Sequence, residues 1–483
     1  MTQRRLRDIV IILPGILGSV LQKNGRDLWA ISGQALGPAL ASLGGSLQDL
    51  QLQGDDPDID DLGDGIEATR LMPDIHLIPG LWKIDGYSEM VRLITNHFKV
   101  EQGSLKDDKP ANFFEFPYDW RRDNRVAARR LQQLIDQRLP QWRQYCGDES
   151  AKVIFLAHSM GGLVARYYLE VLEGWPNCRA LITFGTPYRG SLQAVNYLAN
   201  GCKNMFVDLT HVVRSFTSVY QLLPIYKAVH TGHGYERVAE TGGLPNISQE
   251  RCQQALAFHR SIENAVAIHQ NDNKYLSHGY KILPIVGTHQ PTYQSCSLVD
   301  GKLLMSQQLP TGVDALLGGG DGTVPRLSAI PIELANQYRE TYIPECHSSL
   351  QNSRAMLSDL RSRLEATQTV GLSTIRGPEL HPAGEQQAAI SLELDDLYTA
   401  DEPVKLSAQL INYPDHTASL KALIEAVGSA NIPTIERIFG FEEGRWQLTA
   451  KGLTPGLYRL TVHTSNVRPG GPAPVHDVFE VVR

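Results

Sequence analysis

Cysteine is sparse in this chain: six in 483 residues, at positions 146, 178, 202, 252, 296 and 346. No two stand in a C-x-x-C spacing, which excludes the usual zinc and dithiol redox patterns, and their scatter excludes a disulfide framework. Reduced thiols and a cytoplasmic setting are the expectation. Long apolar runs are missing too, and no stretch reaches the roughly 18 residues of a membrane span. The opening "MTQRRLRDIVIILPGILGS" sets arginines before an apolar run. That run is short, is cut by Pro14 and Gly15, and lacks a small-residue cleavage site, so it reads as a buried strand rather than a signal peptide. Positive charge is not in excess: 45 Lys and Arg stand against 52 Asp and Glu, and a net charge of −7 gives no footprint for nucleic acid. Internal repeats and low-complexity tracts are also missing. What is present, 42% hydrophobic and 20% charged residues, describes an ordinary soluble globular protein. Its length predicts one large domain and a smaller one.

Up to about residue 365, short apolar runs alternate with segments of helical period, the pattern of a largely parallel sheet covered by helices. Strands are expected at Ile9 to Leu13, Asn112 to Phe116, Val153 to Ala157, Ala180 to Phe184, Lys281 to Val286 and Thr341 to Ile343. The stretches "YSEMVRLITNHF" and "VAARRLQQLIDQRL" read as amphipathic helices. Residues 366–387, rich in polar residues with Gly and Pro, resemble a linker. From 388 to 483 the period changes: "AAISLELDDL", "VKLSAQL", "RWQLTAK" and "LYRLTVHT" alternate apolar with polar residues, which predicts a small antiparallel β-sandwich of Ig-like type.

The stretch "FLAHSMGGL" raises the question of chemistry. It places Ser159 after an apolar run and before a helical one, with the small residues Ala157 and Gly161 two positions away on either side. This is the form of a nucleophile elbow, with Ala in the first position of G-x-S-x-G. The helix expected from Met160 to about Glu173 would aim its N-terminal amides at a developing oxyanion. Alone, the pentapeptide also fits a strand-to-helix turn without chemistry. A second oxyanion amide normally comes from the loop after an early strand, and "LPGILGS" offers Leu17. A base-orienting carboxylate should follow the serine, and "LGGGDGTVPRLSA" offers Asp321; phosphate cradling is the rival, but G-x-x-x-x-G-K-[ST] is not there. Of the histidines after Asp321, those at 381, 416, 463 and 476 fall in the linker or β-tail, which leaves His347 in "TYIPECHSSLQ" as the base. The order Ser, Asp, His, each at a strand end, makes the catalytic reading the stronger one. His158 is read as pointing away from the site, with no role.

Six ordered motifs carry a resemblance. "ILPGILGS", "FPYDWRRD", "AHSMGGLVARYYL", "ITFGTPYRGS", "GGDGTVP" and "CHSSL" occur in the order seen in the lecithin:cholesterol acyltransferase family, which includes phospholipid:diacylglycerol acyltransferases and lysosomal-type phospholipases A. The likeness covers roughly residues 8 to 360. It implies an α/β-hydrolase fold with helical cap or lid insertions and a serine acyl-enzyme mechanism. Carried over position by position, Ser159 is the nucleophile, Asp321 the orienter, His347 the base, and Leu17 and Met160 the oxyanion amides. Tyr118, Asp119 and Trp120 match a segment that supports the pocket. The lid position falls at 31–80, which here holds no cysteine, and a cap insertion at 191–279.

The expectation is therefore a lipid ester hydrolase of phospholipase A or lipase type, working without cofactor or metal. Its partners would be a lipid or other ester substrate, a membrane surface touched transiently, and a protein recruited through the C-terminal β-domain. An acyltransferase of the same mechanism is the runner-up, a hydrolase for small or polymeric esters a third reading, and a catalytically unused scaffold the reading from another class. One weaker signal stands apart. From Asp56, carboxylates fall at positions 1, 3, 5 and 9 of an EF-hand-like loop and Glu67 at position 12. Asp61 occupies the position that requires glycine, so a solvated acidic loop is favoured over calcium.

Overall fold

The computed structural model describes residues 3–29, 48–73, 75–78, 82–203, 208–334, 341–369, 387–413, 419–427, 432–465 and 470–482. Six strands form one wholly parallel sheet: β1 (Ile9–Leu13), β2 (Phe113–Glu115), β3 (Val153–His158), β4 (Cys178–Phe184), β5 (Lys281–Gly287) and β6 (Thr341–Ile343), in the spatial order β6-β5-β4-β3-β1-β2. These are the six expected strands, with ends moved by up to two residues. β1, β3 and β4 are buried along their whole length. Helices cover both faces of such a sheet, so every side chain of a central strand is enclosed and the sequence shows unbroken apolar runs.

The register brings the C-terminal strand ends level. Leu13 pairs with Ala157, and His158 with Phe184. The loops that follow therefore gather along one edge, where ligands of open parallel sheets bind.

Helix α1 (Ser88–His97) and helix α2 (Asn124–Cys146) are the two expected amphipathic helices. The Asp123 side chain caps α2 by accepting from Arg125 N, and Gly147 ends it at φ 68°, a left-handed turn that glycine adopts without a steric penalty. Helix α3 (Gly161–Arg166) follows β3 directly and runs on into a π-helical turn over Tyr167–Val171. The cap insertion carries α4 (Leu192–Asn200), α5 (Thr210–Ser215), α6 (Thr217–Gln221), α7 (Gln249–His269) and α8 (Asn273–His278). Of the lid candidate, residues 31–47, 74, 79 and 80 lie outside the described residues. Its later part contributes Ile66–Leu71 to a small antiparallel sheet with Ser19–Lys23, which was not expected.

Helix α9 (Arg354–Thr369) continues past the expected start of the linker, and residues 370–386 lie outside the described residues. Beyond them two sheets share one core. The first is β7 (Ala389–Leu394), β9 (Val404–Ile411), β13 (Arg445–Ala450) and β12 (Gly440–Glu442) in that order. The second runs β8 (Leu397–Thr399), β15 (Val475–Val482), β14 (Gly456–Thr464), β10 (Leu420–Ala426) and β11 (Ile435–Ile438). Ile390, Leu406, Ile424, Leu460 and Phe479 meet between them. Pairing is antiparallel as expected except at β8, which runs parallel to β15. No helix among the described residues is long and apolar enough to cross a membrane.

Candidate active site

Ser159 stands at the end of β3 with φ 51°, a backbone conformation that few side chains other than glycine adopt. The strain is held from both sides: Ser159 N donates to Phe184 O at 2.8 Å, and Thr186 Oγ1 donates to Ser159 O at 2.9 Å. Two residues on, a Cβ at Gly161 would lie 2.6 Å from Pro14 O and 2.7 Å from Leu13 O, which is why the elbow needs glycine there. On the other side Ala157 is tolerated, fully buried in β3.

Asp321 and His347 come to this serine from loops after β5 and β6. His347 Nδ1 is 2.7 Å from Asp321 Oδ2, and His347 Nε2 is 3.0 Å from Ser159 Oγ. The second carboxylate oxygen, Oδ1, accepts from the amides of Thr323 at 3.0 Å and Val324 at 2.7 Å, so the glycine-rich loop grips the aspartate by its main chain. His347 N donates to Asp321 O at 2.8 Å. A carboxylate can only accept, so Nδ1 carries the ring proton and Nε2 is left to accept from the serine hydroxyl. All three residues are buried. The structure thus brings together the three side chains expected from the sequence.

The turn after β1 abuts the serine, since a Cβ on Gly15 would lie 2.8 Å from Ser159 Cβ. Leu17 sits there at φ 61°, and Met160 follows Ser159 at the start of α3. Among the described residues, neither the Leu17 nor the Met160 amide donates to a main-chain carbonyl. The turn is braced by the "PYDWRR" segment: Tyr118 Oη donates to Pro14 O at 2.7 Å and Trp120 Nε1 to Ser19 O at 2.9 Å. Asp119 receives Arg121 through both carboxylate oxygens.

His158 requires a correction: it does not point away from the site. Its Nε2 is 3.2 Å from His347 O, its Nδ1 is 3.0 Å from Tyr87 Oη, and the Tyr87 hydroxyl accepts from Gly15 N at 2.8 Å. Burial, aided by the nearby His347, lowers its pKa from 6.5 to about 3, so the ring is neutral. A carbonyl cannot donate, so the Nε2 proton goes to His347 O and Nδ1 accepts from Tyr87. The chain Gly15, Tyr87, His158, His347 ties the turn beside the serine to the backbone of the histidine. The sequence shows that His158 adjoins Ser159; it gives no direction for the ring and no sign of Tyr87.

The acidic loop leaves Asp56, Asp58, Asp60, Asp61 and Glu67 exposed, as expected of a solvated loop, and its main chain is held by Arg122. Arg122 donates to Asp55 Oδ1 at 3.0 Å and to the carbonyls of Asp56, Ile59 and Asp60 at 2.9, 2.7 and 2.8 Å, and Arg121 reaches Asp64 at 2.9 Å. Of the carboxylates at EF-hand positions, Asp64 faces Arg121 and Asp60 faces Arg129 at 2.9 Å each, while Asp56 accepts from Asp58 N. Among the described residues no group of three or more His, Cys, Asp or Glu could hold a metal ion.

No curated protein matches the chain. The model of the family described as Lecithin:cholesterol acyltransferase matches residues 83–275, a span that holds Ser159 and Met160 but stops before Asp321 and His347. That family points to acyl transfer or phospholipase-type chemistry on lipids. Over this span the chain is similar to the lecithin:cholesterol acyltransferase family, and a parallel sheet with the serine at a strand-to-helix turn is what an α/β-hydrolase of that kind provides.

Proposed function

We propose that this protein is a serine-dependent lipid ester hydrolase of phospholipase A or lipase type. The observation that carries the reading is the continuous series Ser159 Oγ, His347 Nε2 at 3.0 Å, His347 Nδ1 and Asp321 Oδ2 at 2.7 Å. In this reading Nε2 takes the hydroxyl proton as Oγ attacks the ester carbonyl carbon. The oxyanion that forms accepts from the Leu17 and Met160 amides, which are free to donate. The imidazolium returns its proton to the leaving alkoxide, which departs as the alcohol and leaves an acyl-serine. Water, deprotonated by the same imidazole, then attacks the acyl carbon; the acyl–Oγ bond breaks, the imidazolium returns its proton to Oγ, and the fatty acid leaves. Asp321 orients the ring and offsets its charge. The lipid substrate rests on the family match. The proposed cytoplasmic setting rests on the scattered spacing of the six cysteines in the sequence.

The second reading replaces water by an alcohol acceptor, which makes the protein an acyltransferase. It is favoured by the same match, whose family is named for that reaction. Wild type and Ser159→Ala, compared on mixed phospholipid vesicles with and without added alcohol, separate these readings. Free fatty acid from wild type, falling by about 10³-fold or more in the variant, is the expected result. Serine-dependent acyl transfer to the alcohol would favour the transferase. Equal inertness of the two proteins toward vesicles and short soluble esters would overturn both in favour of a scaffold.

A further inference from the structure

A recruiting module on a linker should touch the hydrolase body only through surface residues. The C-terminal sandwich instead grips the loop that carries His347, on both sides of the imidazole. One residue pair upstream, the buried Glu345 carboxylate accepts at Oε1 from His476 N at 2.7 Å and from Cys346 N at 3.0 Å, while Oε2 faces His476 Nδ1 at 2.7 Å. Cys346 packs into the core of the sandwich itself, among residues of both its sheets. Downstream, Ser348 Oγ donates to Asp477 Oδ1 at 3.3 Å. His476 and Asp477 are neighbours on β15.

The loop that carries Asp321 is gripped as well. Gln290 bridges in parallel to Asp321 and donates its main-chain N–H to Gly320 O at 3.0 Å. Its side chain pairs with β7 like an added strand, Nε2 donating to Ile390 O at 3.0 Å and Oε1 accepting from Leu392 N at 3.1 Å. A cavity of about 220 Å³ lies in this junction, lined by His347 and Asp321 on one side and by Leu392, Asp396 and Asp477 on the other.

We propose that the sandwich is a positioning domain of the active site, in which His476, acting through Glu345, sets where His347 stands relative to Ser159. The proposal rests on the hydrolase reading for its catalytic consequence, and on the contacts alone for its structural one. The hydrogen bond from the Ser159 hydroxyl to the His347 imidazole tolerates little displacement, so a loop freed on its sandwich side loses rate rather than binding.

The test compares wild type with His476→Ala, which removes the ring donor, and His476→Asn, whose side-chain amide restores a donor near the position of Nδ1. Glu345→Gln serves as a second break should the alanine variant fail to fold. Two readouts are taken on the full chain: kcat and KM on a short soluble ester, and hydrogen exchange of the peptide spanning 344–349. The expected result is a kcat lower by about tenfold or more in His476→Ala with KM within about twofold, partial recovery in His476→Asn, and faster exchange of that peptide in step. Unchanged kcat together with unchanged exchange overturns the proposal. A kcat loss that His476→Asn does not recover, with exchange raised throughout the sandwich, also overturns it, since that describes general unfolding. If wild type hydrolyses no ester, the hydrolase reading falls, yet faster exchange confined to 344–349 would still uphold the grip.

Discussion

His158 is a histidine kept neutral by its surroundings, and its two ring nitrogens have opposite tasks. Nε2 donates to the carbonyl of His347, Nδ1 accepts from Tyr87, and the pKa lies at about 3 instead of 6.5 because the ring is buried beside a second imidazole. In the unfolded chain the same residue gains a proton near pH 6.5. Between these values the unfolded state binds one proton more, so the fold is fully stable toward this group above pH 6.5 and loses up to about 1.4 kcal/mol per pH unit as pH falls toward 3. His158→Gln keeps a donor toward His347 O and cannot be charged. Denaturant midpoints at pH 7 and pH 5 should therefore drop further in wild type than in His158→Gln; equal drops would show that His158 does not titrate this way. Activity should separate the substitutions too. His158→Ala, which breaks the tie at both ends, is expected to lower kcat about tenfold or more with little change in KM, and His158→Gln to retain most of it.

Ser159 and His347 were legible because each follows a short apolar run, and a strand end in a parallel sheet is where such side chains gather. Asp321 was legible from its glycine-rich loop, which the structure sets not at the end of β5 but beyond a hairpin and the Ala315–Leu317 turn. His158 was not legible. Its neighbour's strained φ of 51° decides which way the ring swings, and nothing in a string of letters reports a backbone angle. The contacts that hold it are also remote, 71 residues to Tyr87 and 189 to His347.

At the scale of elements, the six strands of the parallel sheet were legible for a physical reason: enclosure on both faces removes the polar alternation and leaves continuous runs such as "IVIIL". The last strand, β15, was missed. It is buried along nearly all of its length but reads "VHDVFEVV", because its polar residues at 476 and 477 face the α/β part of the chain, His476 on Glu345 and Asp477 on Lys83. The junction of the π-helical turn with α7 was equally hidden. There Glu170, fully buried, accepts from Arg166 at 3.0 Å and from Tyr275 at 2.9 Å, and His269 at the end of α7 lies 2.7 Å from Glu170 and 2.9 Å from Glu173.

Both His269 nitrogens face carboxylate oxygens, so both carry protons. Burial works against that charge, but the hydrogen bonds and charges of Glu170 and Glu173 outweigh it and raise the pKa above 6.5. A raised histidine stabilises the fold below its unfolded pKa and ceases to do so as pH rises through the folded one. His269→Ala should thus cost about 2 kcal/mol near pH 6 and distinctly less near pH 9. Urea midpoints at the two pH values check this. A cost that is the same at both would mean the contact is neutral.

Across the whole molecule, the sequence divides the chain into a larger α/β domain, a linker and a β-sandwich accessory domain, and the structure sets the sandwich against the loop that carries His347. The period change near residue 388 marks where a second core begins, but says nothing of what the core rests against. The joint is polar. Lys83, from the segment just before α1, places Nζ 2.8 Å from Asp396 and 2.8 Å from Asp477, both in the sandwich, and Arg459 reaches back to Asp85 at 2.5 Å. Enclosure opposes the charge on Lys83, yet the two carboxylates hold its pKa above the ordinary value. Beside these charges the apolar contact of Ile75 with Leu457 and Val478 is small. Breaking one partner of a half-buried ionic cluster can cost more than the cluster contributes, because the remaining charges stay behind unpaired. Lys83→Met leaves two carboxylates facing each other and should weaken the joint by about 3 kcal/mol. Calorimetry should then show one transition in wild type and a separate, earlier one for the sandwich in the variant, lower by about 10 °C or more. Adding Asp396→Asn to Lys83→Met removes one of the stranded charges and should return part of that shift. A single transition at an unchanged midpoint in Lys83→Met would mean that the pairing of the Gln290 side chain with β7 holds the two parts together without the ions.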